Sequence, residues 1–163
     1  MSERYAVEDQ HAFTHILVAV DGSEASIHAG HRAVQMAAGC RIPVVFVYVL
    51  NPSVAHDIAQ SMGKLDEVVC RDLAIKAQHY LDYFTHLARD HGLAAEQMLR
   101  QGVPHTEISE VARERGIDLI VIGQTVLPGS RRTMTGSVAQ RIIECAPCSV
   151  LVVRHSPPRR NCN

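Results

Sequence analysis

HILVAVDGSEASIHAGHRAVQMAAG, residues 15–39, is the stretch that decides the fold. Residues 16–20 are apolar on consecutive rather than alternate positions, and positions 16, 18 and 20 are β-branched. A strand of that kind is buried on both faces, as in a parallel sheet. Asp21-Gly22 then supplies turn chemistry and Ser23 stands where a helix N-cap is wanted. From Ser23 to Ala38 the residues Ala25, Ala29, Ala33 and Ala37, with Val34 beside them, form one apolar helical stripe. Gly39 is the expected left-handed stop.

The same strand type returns as PVVFVYV (43–49), DLIVI (118–122) and SVLVV (149–153), while AEQMLRQ (95–101) alternates and belongs nearer an edge. Helical spacing fills the gaps. Val69, Leu73, Ala77, Tyr80, Leu81, Phe84, Leu87 and Ala88 share a face between Asp66 and His91, with Gly92 as the stop. Pro104 suits a first helical turn, Ile108, Val111 and Ala112 face inward, and Gly116 closes that helix. A last helix starts at Ser137, with Gln140 as capping-box partner, and is expected to bury Val138, Ile142 and Ile143. Strands alternating with helices predict right-handed βαβ crossovers, hence an α/β fold with an open, doubly wound, five-stranded parallel sheet, helices on both faces, Rossmann-like. Residues 51–64 show no period and read as a mobile excursion beside the carboxyl edge. Residues 1–13 and 156–163 read as flexible tails around a single domain at 14–155.

Composition narrows the function. With 47% hydrophobic residues, 20% charged and a net charge of −1, the chain has no field to gather nucleic acid or anionic lipid. Its apolar runs fall far short of the roughly 20 residues that span a bilayer. The polar N-terminus lacks a signal peptide, so a soluble cytoplasmic protein is expected. Five scattered cysteines fit reduced thiols rather than a disulfide framework. The ten histidines, including the pairs His28/His31 and His86/His91, lack partners at ligand-like spacing and read as structural or surface residues.

In such a sheet, ligands collect outside the carboxyl ends of the strands. After the first strand, Asp21 could accept hydrogen bonds from a ribose or base edge, or it could simply make the turn that Ser23 caps. After the fourth comes GQTVLPGSRRTMTGS (123–137), in which no lysine follows a glycine, so a Walker-type loop is excluded. What it offers is backbone: Gly123 to let the chain leave the strand, and Gly136 and Ser137 to expose N–H groups where a helix dipole favours an anion. Arg131 and Arg132 could add charge.

HILVAVDGSEAS, DLIVIG with its glycine loop, and GSVAQRIIECAPCSVLVV together resemble the universal stress protein family over nearly all of residues 13–154. The resemblance implies an adenine nucleotide alpha hydrolase-like fold and a homodimer pairing through Ser149–Val153. In the ATP-binding branch of that family the loop reads glycine, two residues, glycine, nine residues, glycine, then serine or threonine. Gly123, Val126, Gly136 and Ser137 occupy those positions here, so one glycine of three is replaced. By likeness, Asp21 meets the ribose and adenine end, and backbone at Ala19 and Val49 holds the base. Gly123, Gly136, Ser137 and Val138 surround the phosphates, with Gly129 and Arg132 at family positions and Mg2+ accompanying the nucleotide. A β-branched residue in a left-handed backbone costs on the order of 1–3 kcal/mol, which would weaken binding about ten- to a hundredfold.

Two rivals stand beside nucleotide binding. One is the nucleotide-free branch of the family, a dimer acting through protein partners, which Val126 favours. The other is a thiol redox protein using Cys145 and Cys148. Their place at a helix C-terminus disfavours thiolate and so argues against it. No catalytic group is expected, with at most slow ATP hydrolysis.

Overall fold

The computed structural model of the protein describes residues 13–125 and 137–155. The chain runs β1 (Ile16–Ala19), α1 (Glu24–Cys40), β2 (Val44–Leu50), α2 (Pro52–Met62), α3 (Asp66–Asp90), β3 (Ala95–Gln101), α4 (Pro104–Glu114), β4 (Leu119–Thr125), α5 (Ser137–Cys145), β5 (Ser149–His155). All five strands are parallel in the order β3-β2-β1-β4-β5. The chain therefore winds outward from β1 in both directions, and the connections diverge between β1 and β4.

The unbroken apolar runs divide between two layers, as two-sided burial requires. Ile16, Val18, Phe46 and Val121 pack under α1 and α3, against Ala29, Ala33, Val34, Leu81 and Phe84. Leu17, Val45, Val47, Ile120 and Ile122 face the other way, against Ile108, Val111 and Ala112 of α4 and Ala139 and Ile142 of α5. The alternating strand 95–101 is an edge, as is β5. Phe13 packs against the first layer. The remainder of the expected tails, 1–12 and 156–163, lies outside the described residues.

Three expectations need correction. Gly39 lies inside α1, and Arg41 takes the left-handed cap position instead, at φ 56°, its N–H donating to the Ala37 carbonyl. Residues 51–64 are not an excursion but carry α2. Asn51 accepts from Ser53 N–H (3.0 Å), Pro52 occupies the first turn, and Gly63 stops the helix at φ 62°. Only Ala55 and Ala59 of α2 are buried, and with Val69 of α3 they form a small cluster of their own. Apolar side chains such as Val54 and Met62 point outward, which is why no stripe showed in the sequence. In α5 the buried stripe is Ala139 and Ile142, whereas Val138 (41%) and Ile143 (51%) are exposed. Gln140 donates to Glu144 one turn on (3.0 Å).

Candidate functional site

The loop after β1 is locked by its own polar groups. Val20 N–H donates to the Val47 carbonyl (2.9 Å), which extends the sheet one residue beyond β1. Asp21 Oδ1 accepts from Ser23 N–H (2.9 Å), an Asx turn, and Ser23 Oγ accepts from Ser26 N–H (3.2 Å) as the N-cap of α1. The buried Ser26 hydroxyl accepts from Asp21 N–H (3.2 Å) and donates to the Ser23 carbonyl (3.0 Å). Turn and cap are therefore real, and Asp21 nevertheless stays exposed at the end of the strand.

From α3 and β2 two tyrosines hold this loop. Tyr48 Oη donates to the Asp21 carbonyl (3.2 Å). Burial pushes the Tyr48 hydroxyl pKa up, and the charges of Asp21 and Tyr80 add to that, so it remains a neutral donor. Gly22 has φ 81°, and a Cβ there would lie 2.6 Å from Tyr80 Cε2. Both its conformation and the ring above it require glycine.

Gly123 has a different reason. It does not release the chain from the strand, because β4 continues to Thr125 with Gly123 paired to Val153. A Cβ at Gly123 would overlap the Ala25 carbonyl and lie 2.6 Å from the Ser26 nitrogen. The first turn of α1 thus rests directly on the backbone of β4, an approach that only glycine permits. Gln124 follows, 6% exposed.

Between these elements lies a cleft of about 440 Å³ at the carboxyl edge of the sheet. Its apolar floor comes from Ala19, Val47, Val49 and Ile122 of the strands, Pro104 and Ile108 of α4, and Ala139 and Ile142 of α5. Asp21, Ser23 and Gln124 supply polar groups, and Asp21 is the single ionisable side chain among the described lining residues. Val138 opens onto the cleft in the first turn of α5, where helix N–H groups have no intrahelical partner and the dipole is positive. The arrangement can take a flat apolar group on its floor, accept hydrogen bonds at Asp21, and face an anion with the start of a helix.

Of the residues singled out from sequence, the structure brings Ala19, Asp21, Val49, Gly123 and Val138 together around this cleft. Ser137 is the first residue of α5. Val126, Gly129, Arg132 and Gly136 lie outside the described residues. Sequence reading missed Val47, Pro104, Ile108, Ile122, Gln124, Ala139 and Ile142. Ile122 and Pro104 carried a signal, since each stands at a strand's carboxyl end or the helix start just after it.

Cys145 ends α5 and is exposed, Cys148 precedes β5, and both are free thiols. Burial, with Asp118 adding to it, pushes the Cys148 thiol pKa up, the wrong direction for a nucleophile. Among the described residues no three His, Cys, Asp or Glu side chains gather as a metal site. No described helix is long and apolar enough to cross a membrane.

A universal stress protein of Methanocaldococcus jannaschii is 32% identical over 147 residues, which cover 89% of this chain and 84% of that protein. Among solved structures, the universal stress protein UspA from Lactobacillus plantarum aligns with a TM-score of 0.74 at 26% identity, over 89% of this chain and 100% of that one. The universal stress protein from Archaeoglobus fulgidus, solved in complex with dAMP, has the same fold, with a TM-score of 0.59, 22% identity, and 87% and 98% of the chains covered. The model of the Universal stress protein family matches residues 12–154. This chain belongs to the universal stress protein family.

Proposed function

We propose that the protein binds an adenine nucleotide, ATP or a close relative, in the cleft between β1 and β4, as a regulatory ligand rather than a turned-over substrate. The observation that carries this reading is the convergence on one apolar cleft of an exposed carboxylate, Asp21, and the first turn of α5. A cleft of about 440 Å³ falls in the size range of small-molecule sites, roughly 300–1,000 Å³. The base lies on the floor against backbone at Ala19 and Val49, the ribose meets Asp21, and the phosphates face Gly123, Ser137 and Val138. Gly129, Arg132 and Gly136 stand at family positions in the sequence, and Mg2+ can accompany the nucleotide. The dAMP held by the Archaeoglobus protein of the same fold supports an adenine ligand. Turnover is at most slow, since positioning a water would fall to Asp21.

Assembly follows from β5. It ends the sheet, Leu151 is 38% exposed, and Val150, Val152 and Val153 are only partly covered. An apolar edge strand invites pairing, and a second copy supplies the matching strand, giving a homodimer. A cytoplasmic setting fits the free cysteines.

A second reading has its own observation. The packing of α1 fully accounts for Gly123, so the first glycine of the loop would persist without any phosphate to bind, and Val126 replaces the next. On that reading the protein is a nucleotide-free dimer acting through partners. Calorimetric titration of the full chain with ATP decides between them: a saturable isotherm is expected, and silence up to millimolar ATP rejects the nucleotide reading. If Val126 is the obstacle, Val126→Gly tightens binding about ten- to a hundredfold. Gel filtration at micromolar concentration should give the mass of two chains, and a monomer mass rejects the dimer.

A further inference from the structure

A second cavity, of about 420 Å³, opens at the carboxyl ends of β2 and β3. It exists because two apolar clusters stop short of one another. The main cluster under α1 and α3 reaches Tyr48 and Leu81, while α2 and the first turns of α3 bury a separate set around Ala59 and Val69. The seam between them is walled by Leu50, Leu73, Ala74 and Leu99, and Leu99 is 39% exposed. An apolar seam left open to water is stabilised by an apolar occupant.

Its charged groups all have one sign. The ionisable side chains at this crevice are Arg71, Arg100 and the thiol of Cys70, with no carboxylate among the lining residues. Arg100 is committed to Glu114 of α4. Arg71 is exposed and forms no ion pair among the described residues. Of the neighbouring polar groups, the Asn51 carboxamide oxygen caps α2 and the Leu50 carbonyl accepts from Gly102 N–H (2.9 Å), while the Gln101 carboxamide is exposed and neutral. What the crevice offers a ligand is apolar wall plus one guanidinium that forms no ion pair among the described residues. We infer that this crevice binds a free amphipathic carboxylic acid, its tail against Leu73 and Leu99 and its carboxylate on Arg71. Arginine matches a carboxylate in a bidentate way, which sets this ligand apart from a neutral apolar one. The inference is independent of the nucleotide reading, because none of these residues lines the β1–β4 cleft.

The test uses the full-length protein and cis-parinarate, a fluorescent apolar acid, displaced by dodecanoate. Saturable fluorescence is expected, unchanged by millimolar ATP, with dodecanoate displacing the probe at least tenfold more effectively than dodecanol. Arg71→Gln should abolish that preference while leaving dodecanol unaffected, and Arg71→Lys should restore part of it. Because Arg71 is exposed, these variants keep the fold. Ala74→Trp, which fills the seam, should weaken the probe at least tenfold. Dodecanoate should also slow labelling of Cys70 by N-ethylmaleimide, read on its peptide by mass spectrometry, with no effect at Cys145. No binding at millimolar dodecanoate overturns the inference. So does equal binding of acid and alcohol, or binding that survives both Arg71→Gln and Ala74→Trp.

Discussion

The cleft between β1 and β4 and the crevice beside β2 and β3 have nearly equal volumes, about 440 and about 420 Å³, and open at the same edge of the sheet. Their origins differ. The cleft lies where successive connections leave for opposite faces, so its walls are the ends of central strands, fixed by both core layers. The crevice lies beside an edge strand, at a helical hairpin, α2 with the start of α3, that is held together by a cluster of three buried residues. One opening is therefore imposed by topology and rigid. The other depends on a small satellite core and should open more readily than the main one.

The largest effect expected from this contrast is a pair of truncations on the same helix. Phe84→Ala removes a fully buried ring stacked on Phe46 (centroids 5.5 Å apart, 22° between planes) and should cost about 4 kcal/mol in a urea titration. Val69→Ala, in the satellite cluster, should cost about 1.5 kcal/mol, the value of two buried carbons. Amide exchange should then speed up in α2 of the Val69 variant while β1 and β4 stay protected. Equal costs at the two sites, or exchange that rises uniformly, would merge hairpin and core into one cooperative unit.

A smaller effect tests the rigidity of the cleft. Gly123→Ala places a methyl group on the carbonyl of Ala25, and backbone on both sides leaves little room to relax. The expected loss is about 3 kcal/mol, the upper range for overpacking. A loss under about 0.5 kcal/mol would mean that α1 slides freely along β4, and the cleft could not then be the rigid partner in the comparison.

The residues explain how much of this was legible beforehand. The two-sided strands were readable because Ile16 to Val20 and Leu119 to Ile122 alternate between layers that are both apolar. The Asp21–Ser23 turn was readable because its hydrogen bonds are local. Gly123 was picked out, but its reason was hidden, since the contact that demands it comes from Ala25, far away in sequence. Helix α2 was illegible because it buries only alanines, whose small area leaves no periodic signal. Gln124 was missed because a single polar residue at a strand end looks like a loop residue until its burial is seen.

The smallest predicted effect lies at the opposite edge of the sheet. Asp118, just before β4, accepts from Thr14 N–H (2.8 Å), Thr14 Oγ–H (2.7 Å) and His15 N–H (3.0 Å), tying the entry of β1 to β4. Burial alone would raise its pKa, but the hydrogen bonds from His15 and Thr14 outweigh it and hold the carboxyl below the ordinary 3.8. A carboxyl depressed in the folded state contributes stability that is fully present above its unfolded value and is lost as pH falls through the folded one. Asp118→Asn should therefore cost about 1 kcal/mol near neutral pH, discounted for solvent exposure. The gap between variant and parent should close as the pH drops below 3.8, while nucleotide and dodecanoate titrations at pH 7 stay unchanged. Urea midpoints collected between pH 3 and 7 read this directly. A gap that stays constant across that range would show that the contact is worth its shape alone, with the carboxylate charge contributing nothing.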